Sequence, residues 1–116
     1  MMPPMAVVET GTFLASAARL GMGETERAAL IIYLAVNPKV GVVVPETGGV
    51  RKLRWALPGR GKSGGARVIY YCHNQSIPLY ALDIYAENRK PNLSAAGKKA
   101  VRKTVSAIGA EHDRRK

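Results

Sequence analysis

Cysteine occurs once in the 116 residues, at Cys72, which excludes an internal disulfide framework and any Cys-rich zinc site. Histidine occurs twice, at His73 and His112, and Phe and Trp once each. Acids are scarce: 8 Asp and Glu stand against 18 Lys and Arg, for a formal net charge of +10. No apolar run approaches the roughly 18 residues of a membrane helix. The apolar start, Met1 to Val8, has no basic stretch before it, which argues against a signal peptide. With 47% hydrophobic residues the chain is rich enough for one buried core. The expectation is one small basic cytoplasmic domain over 1–116, its core at about 5–108 and a frayed tail at 109–116, with no membrane association.

The positive charge is concentrated. Residues 1–50 carry Arg19, Arg27 and Lys39 against Glu9, Glu24, Glu26 and Glu46. Residues 51–116 carry 15 bases against Asp83, Glu87, Glu111 and Asp113. Two stretches hold no acid: 51–67, with Arg51, Lys52, Arg54, Arg60, Lys62 and Arg67, and 89–103, with Arg89, Lys90, Lys98, Lys99, Arg102 and Lys103. Packed like charges repel, so a polyanion is the natural partner. The alternative is a surface that only keeps the protein soluble, although such surfaces usually mix signs.

The elements follow from periodicity and punctuation. Met5 to Glu9 reads as a strand. Thr10 or Thr12 can cap a helix that brings Phe13, Ala17 and Leu20 to one side and stops at Gly21 and Gly23. Glu24 to Val36 reads as a second helix with acids in its first turn and Asn37-Pro38 at its end. Its run from Ala28 is apolar nearly all round, which predicts burial on more than one side. The pattern then switches to period two: Leu53, Trp55 and Leu57 alternate with Lys52, Arg54 and Ala56. Residues 58–65, PGRGKSGG, read as a loop. Ala66 to His73 reads as a central strand covered on both faces, and Ile77 to Tyr85 as another with Tyr80, Leu82 and Ile84 on one face. Ser94 caps a last helix that carries Val101, Val105 and Ile108 inward and ends at Gly109. The fold class is α+β, in the order β-α-α-β-β-β-α: an antiparallel sheet, two N-terminal helices on one face and a C-terminal helix.

Several chemistries fail on spacing. Gly61-Lys62-Ser63 lacks the glycine a P-loop needs at position 56, which is Ala56, and a strand rather than a helix follows it. Cys72 and His73 are neighbours on a strand and point to opposite faces, so they form neither a metal pair nor a nucleophile pair. Cys72 reads as a small core residue. A histidine pair for acid–base catalysis is not expected, with His73 on a core strand and His112 in the tail. No metal and no cofactor is expected.

What survives is a basic constellation. In a meander, the strand ends bring Lys52, Arg54, Arg67 and Tyr85 to one side. Arginine clamps a phosphate bidentately, and tyrosine stacks on an unpaired base. These are the parts that hold single-stranded RNA. Lys52 can instead bind phosphate only, and Tyr85 can be a strand-end core aromatic.

The run TGGVRKLRWALPGRGKSGGARVIYY at 47–71 resembles the RelE/HigB family of toxins from bacterial toxin–antitoxin pairs. Leu82-Asp83-Ile84-Tyr85-Ala86-Glu87-Asn88 resembles the family's next block, and the resemblance extends over roughly 5–108. It implies a compact, microbial-ribonuclease-like fold and an endoribonuclease that enters the ribosomal A site, cuts mRNA there without metal, and is silenced by a cognate antitoxin. It implies Lys52, Arg54, Arg67 and Tyr85 as the catalytic group. Arg51, Arg60 and Lys62 would bind RNA. One block departs: Tyr85-Ala86-Glu87-Asn88-Arg89 exchanges the family's basic and acidic positions, leaving Arg89 or Lys90 to supply the charge. Lys52 is the candidate base, with Glu46 and Glu87 as weaker alternatives. The implied partners are the antitoxin, the ribosome and mRNA, with the toxin a monomer or one part of a hetero-oligomeric complex. Three other readings remain open: a non-catalytic RNA-binding module, a ParE-like gyrase poison of the same fold, and an inactive or attenuated toxin.

Overall fold

The computed structural model describes residues 4–57, 65–88 and 93–114. Among them the chain runs β1 (Val7–Glu9), α1 (Gly11–Arg19), α2 (Glu24–Val36), β2 (Val42–Val43), β3 (Val50–Trp55), β4 (Ala66–Tyr71), β5 (Leu79–Ala86) and α3 (Ala95–Arg114). The α+β expectation holds, with five strands and three helices among the described residues. The strands form one sheet in the order β1-β5-β4-β3-β2.

Local chemistry sets the helix ends. Thr10 Oγ1 accepts the N–H of Phe13 at 3.2 Å, and its hydroxyl donates to the Ala81 carbonyl at 2.9 Å, so one side chain starts α1 and ties it to β5. Gly21, at φ 74°, closes α1: its N–H bonds the Ala18 carbonyl while Met22 N–H bonds that of Ala17. Asn37 ends α2 by donating from both its backbone N–H and Nδ2 to the Tyr33 carbonyl.

Two corrections concern the sheet. It is mixed rather than wholly antiparallel, because β1 lies parallel to β5, with Val7 opposite Leu79. The short strand β2, absent from the expected order, pairs antiparallel with β3. The turn between them is locked by the buried Thr47, whose hydroxyl donates to Val44 O at 2.6 Å and accepts from Val50 N at 3.1 Å.

The sheet separates two cores. On one face Phe13, Ala17, Leu30 and Leu34 of α1 and α2 pack on Val68, Tyr70, Leu79, Ala81 and Ile84, with Leu53 and Trp55 beside them. On the other, Val105 and Ile108 of α3 pack on Val50, Ile69, Tyr71, Leu82 and Tyr85. Helix α2 buries one face only: Leu30 and Leu34 are inside while Ile32 and Val36 are exposed, so its apolar run exceeds what the sheet covers. The expected stop at Gly109 is also corrected. Helix α3 runs through it to Arg114, held on either side by buried Ile108 and by a 3.3 Å contact between Tyr80 Oη and His112 Nε2. Such contacts outweigh the roughly 1 kcal/mol a glycine costs a helix.

A bulge in β5 decides what the α3 face carries. Ile69 faces Asp83 but Tyr70 faces Ala81, leaving Leu82 as the extra residue. Strict alternation would keep Tyr80, Leu82 and Ile84 together. Instead Tyr80 and Leu82 stay on the α3 face, Ile84 moves to the α1–α2 face, and Tyr85 comes round beneath α3.

Candidate nucleic-acid interface

Strand register places the expected residues. Arg54 on β3 lies opposite Arg67 on β4, and Arg67 lies opposite Tyr85 on β5, so the three form one row across the sheet. Directly opposed residues have Cα atoms roughly 4.5–5.5 Å apart. Lys52 is two residues before Arg54, hence on the same face, in the next row with Ile69 and Asp83. Four residues scattered over 34 positions of sequence thus meet on the α3 face, toward the end where β5 gives way to the loop before α3.

Two guanidinium groups facing each other repel, and the chain places an anion between them. Glu87, just past β5, carries its carboxylate on the same face as Tyr85. Its Oε1 lies 3.1 Å from Arg54 Nε and 3.3 Å from the Arg67 terminal nitrogen Nη2. The Glu87 N–H donates to the Gly65 carbonyl at 3.0 Å, extending the β4–β5 ladder by one bond. A side chain at Gly65 would begin 3.4 Å from Glu87 Oε2, in ordinary van der Waals contact with the carboxylate. The two arginines differ in freedom: the Arg54 side chain is 71% exposed and that of Arg67 17%. Arg67 Nε is buried and has no hydrogen-bond partner among the described residues, leaving a donor of the guanidinium unspent.

Tyr85 is 8% exposed and belongs to the core beneath α3. Burial pushes its hydroxyl pKa above the usual tyrosine value, and Asp83 and Glu87 add to this while Arg67 opposes it. Its ring therefore offers little surface for stacking, and it meets the row as a buried phenol. Arg51 points to the other face, where its guanidinium donates to the carbonyls of Gly41 at 2.7 Å and Lys39 at 3.2 Å. It braces the approach to β2 instead of joining the row. Arg60, Lys62, Arg89 and Lys90 lie outside the described residues. Glu46 sits in the β2–β3 turn, at the far end of β3 from Arg54, so it does not share the row.

The histidines differ from expectation. His73 lies beyond the end of β4 and is exposed, and His112 is on the last turn of α3. Both line one cavity of about 410 Å³ with Tyr71, Asn74, Ile77, Ile108 and Asp113, and the Tyr71 and His73 rings stack at 6.1 Å. The cavity is at the opposite end of β4 from Arg67, about 13 Å along the strand. The histidines thus do come together, away from the arginine row. Cys72 packs half-buried against the α1–α2 core, and burial raises its thiol pKa, which fits an inert core residue.

The arrangement suits anion binding: two guanidiniums aimed at one point, a lysine one row away, and a carboxylate holding the point between the arginines. Among the described residues no group of three or more His, Cys, Asp or Glu is placed to hold a metal ion. None of their helices is long and apolar enough to cross a membrane. No family model matches the chain.

Glu87 is the residue that sequence reasoning underrated. The signal was present: an acid two positions after a strand-end tyrosine, in a stretch otherwise rich in bases. Its meaning depends on the bulge, which no periodicity shows.

Proposed function

We propose that this protein is a RelE/HigB-type toxin that cuts mRNA in the ribosomal A site without a metal ion. The observation that carries the reading is the row Arg54–Arg67–Tyr85 with Lys52 beside it, on one sheet face. In such a reaction the 2′-OH attacks the adjacent phosphate, leaving a 2′,3′-cyclic phosphate and a 5′-OH. Arg67, largely buried, and Arg54, mostly exposed, share the charge that builds on the phosphate. Lys52 extends the positive field toward the flanking nucleotide, and Tyr85 lies opposite Arg67 in the row. Arg60, Lys62, Arg89 and Lys90 would add contacts to ribosomal RNA or mRNA. The ribosome contributes in-line positioning, which is worth several kcal/mol. An antitoxin would silence the toxin by laying an acidic segment on the row or by pairing with the edge strand β2, where Val42 and Val43 are exposed.

The test is a translation reaction programmed with one defined mRNA, with 5′ ends mapped. Cuts inside the A-site codon that need ribosomes and fall at least about 100-fold in Arg67→Ala support the proposal. Intact mRNA overturns it and leaves the RNA-binding, gyrase-poison and inactive-toxin readings, of which a supercoiling assay identifies the gyrase poison.

A further inference from the structure

We infer that Glu87 is the general base of this cleavage, and that before RNA binds it occupies the place between Arg54 and Arg67 that the scissile phosphate takes. The inference rests on the ribonuclease reading above. Three observations carry it. The carboxylate lies within 3.3 Å of both guanidiniums, so whatever phosphate they hold must come to rest beside it. Its backbone is fixed by the bond to Gly65, while the carboxylate itself stays partly exposed, at 24%. The other acid near the row, Asp83, already accepts the N–H of Ile84 at 2.8 Å, and its pair across the sheet is Ile69 rather than an arginine.

The chemistry favours a carboxylate over Lys52. A carboxylate accepts a proton at neutral pH as it stands, whereas an ammonium must first lose one. An incoming phosphodiester competes for the guanidinium donors and releases Glu87 next to the ribose. Glu87 then takes the proton of the 2′-OH as the O2′–P bond forms and the P–O5′ bond breaks. Water protonates the departing 5′ oxygen, and the hydroxide so formed recovers the proton from Glu87, leaving the enzyme unchanged. Lys52 is then a phosphate ligand and no proton carrier.

The experiment compares wild type, Glu87→Gln and Glu87→Asp on programmed ribosomes. It measures single-turnover cleavage from pH 5 to 9, together with binding of ribosomes whose mRNA has a 2′-deoxy nucleotide at the cut. Glu87→Gln should cut at least about 100-fold more slowly at every pH in that range. It should bind the uncleavable complex as tightly as wild type or more so, because the competitor for the clamp is gone. Glu87→Asp, which keeps a carboxylate, should retain cleavage at a reduced rate, which separates loss of the base from loss of the fold. Wild-type cleavage matched within threefold by Glu87→Gln overturns the inference and returns the role to Lys52. Cleavage and binding lost together also overturn it, since Glu87 would then only build the clamp. A wild type that cuts nothing is a different result: it removes the ribonuclease reading itself, and this inference with it.

Discussion

The two faces of the sheet are built from the same strands and differ in what they leave uncovered. Under α1 and α2, Val68, Tyr70, Leu79 and Ile84 continue into Leu53 and Trp55 as an unbroken apolar surface. Under α3 the apolar patch stops short, and the row Arg54–Arg67 with Glu87 takes its place at one end. The first face contributes stability. The second exchanges part of that contribution for a charged row that no hydrophobic force requires. A sheet with a single long helix on one side has room for both, because one helix is too narrow to cover three strands.

If the faces divide the work this way, substitutions on them should separate stability from RNA chemistry. Phe13→Ala empties a fully buried site beneath the sheet and should cost about 3–5 kcal/mol, read as a shift in denaturant midpoint. Gly41→Ala should come next. Its new methyl would sit 2.8 Å from the Tyr70 hydroxyl and from the Lys52 carbonyl, one a buried side chain and the other backbone. A cost of about 1–3 kcal/mol is expected, again by denaturation. It should disturb the hydrogen bond that Gly41 N–H donates to Tyr70 at 2.7 Å.

A third effect is alkaline. Burial raises the hydroxyl pKa of Tyr70 and Tyr85 above the usual 10.0. The unfolded chain then releases these protons at a lower pH than the folded one, so the contribution is whole below pH 10 and is lost as pH rises through the folded values. Unfolding midpoints measured from pH 8 to 12 should fall beyond pH 10, and Tyr85→Phe should flatten part of the fall. The smallest stability change belongs to the charged row. Arg54→Ala, at a mostly exposed side chain, should move stability by no more than about 0.5 kcal/mol. It should still weaken binding to single-stranded RNA and flatten its salt dependence. An Arg54→Ala protein that unfolds readily would break the division between the faces.

Much of this was legible in the sequence for local reasons. The bounds of α2 follow from Gly23, two early glutamates and Asn37-Pro38. The sidedness of β3 follows from Leu53 and Trp55 alternating with Lys52 and Arg54. What stayed hidden depends on distant pairing. Val7 to Glu9 shows a strand but not a parallel partner more than 70 residues away. Arg51 looks like its neighbours in sequence and, being odd where Lys52 and Arg54 are even, bonds loop carbonyls on the other face. Gly109 reads as a stop because the contact between His112 and Tyr80 cannot be seen from either residue alone. Glu87 reads as a misplaced acid until the strand that carries it is known to be out of step.

That step has a consequence of its own. The extra residue at Leu82 acts as a phase shift: upstream of it β5 shows one set of side chains to α3, and downstream the opposite set. A deletion of one codon there would leave every remaining residue intact, yet either Tyr85 and Glu87 would turn to the α1–α2 side or Tyr80 would. The row depends on the count of residues in β5 as much as on their identity, and drift in length at this point would dismantle it more surely than drift in sequence.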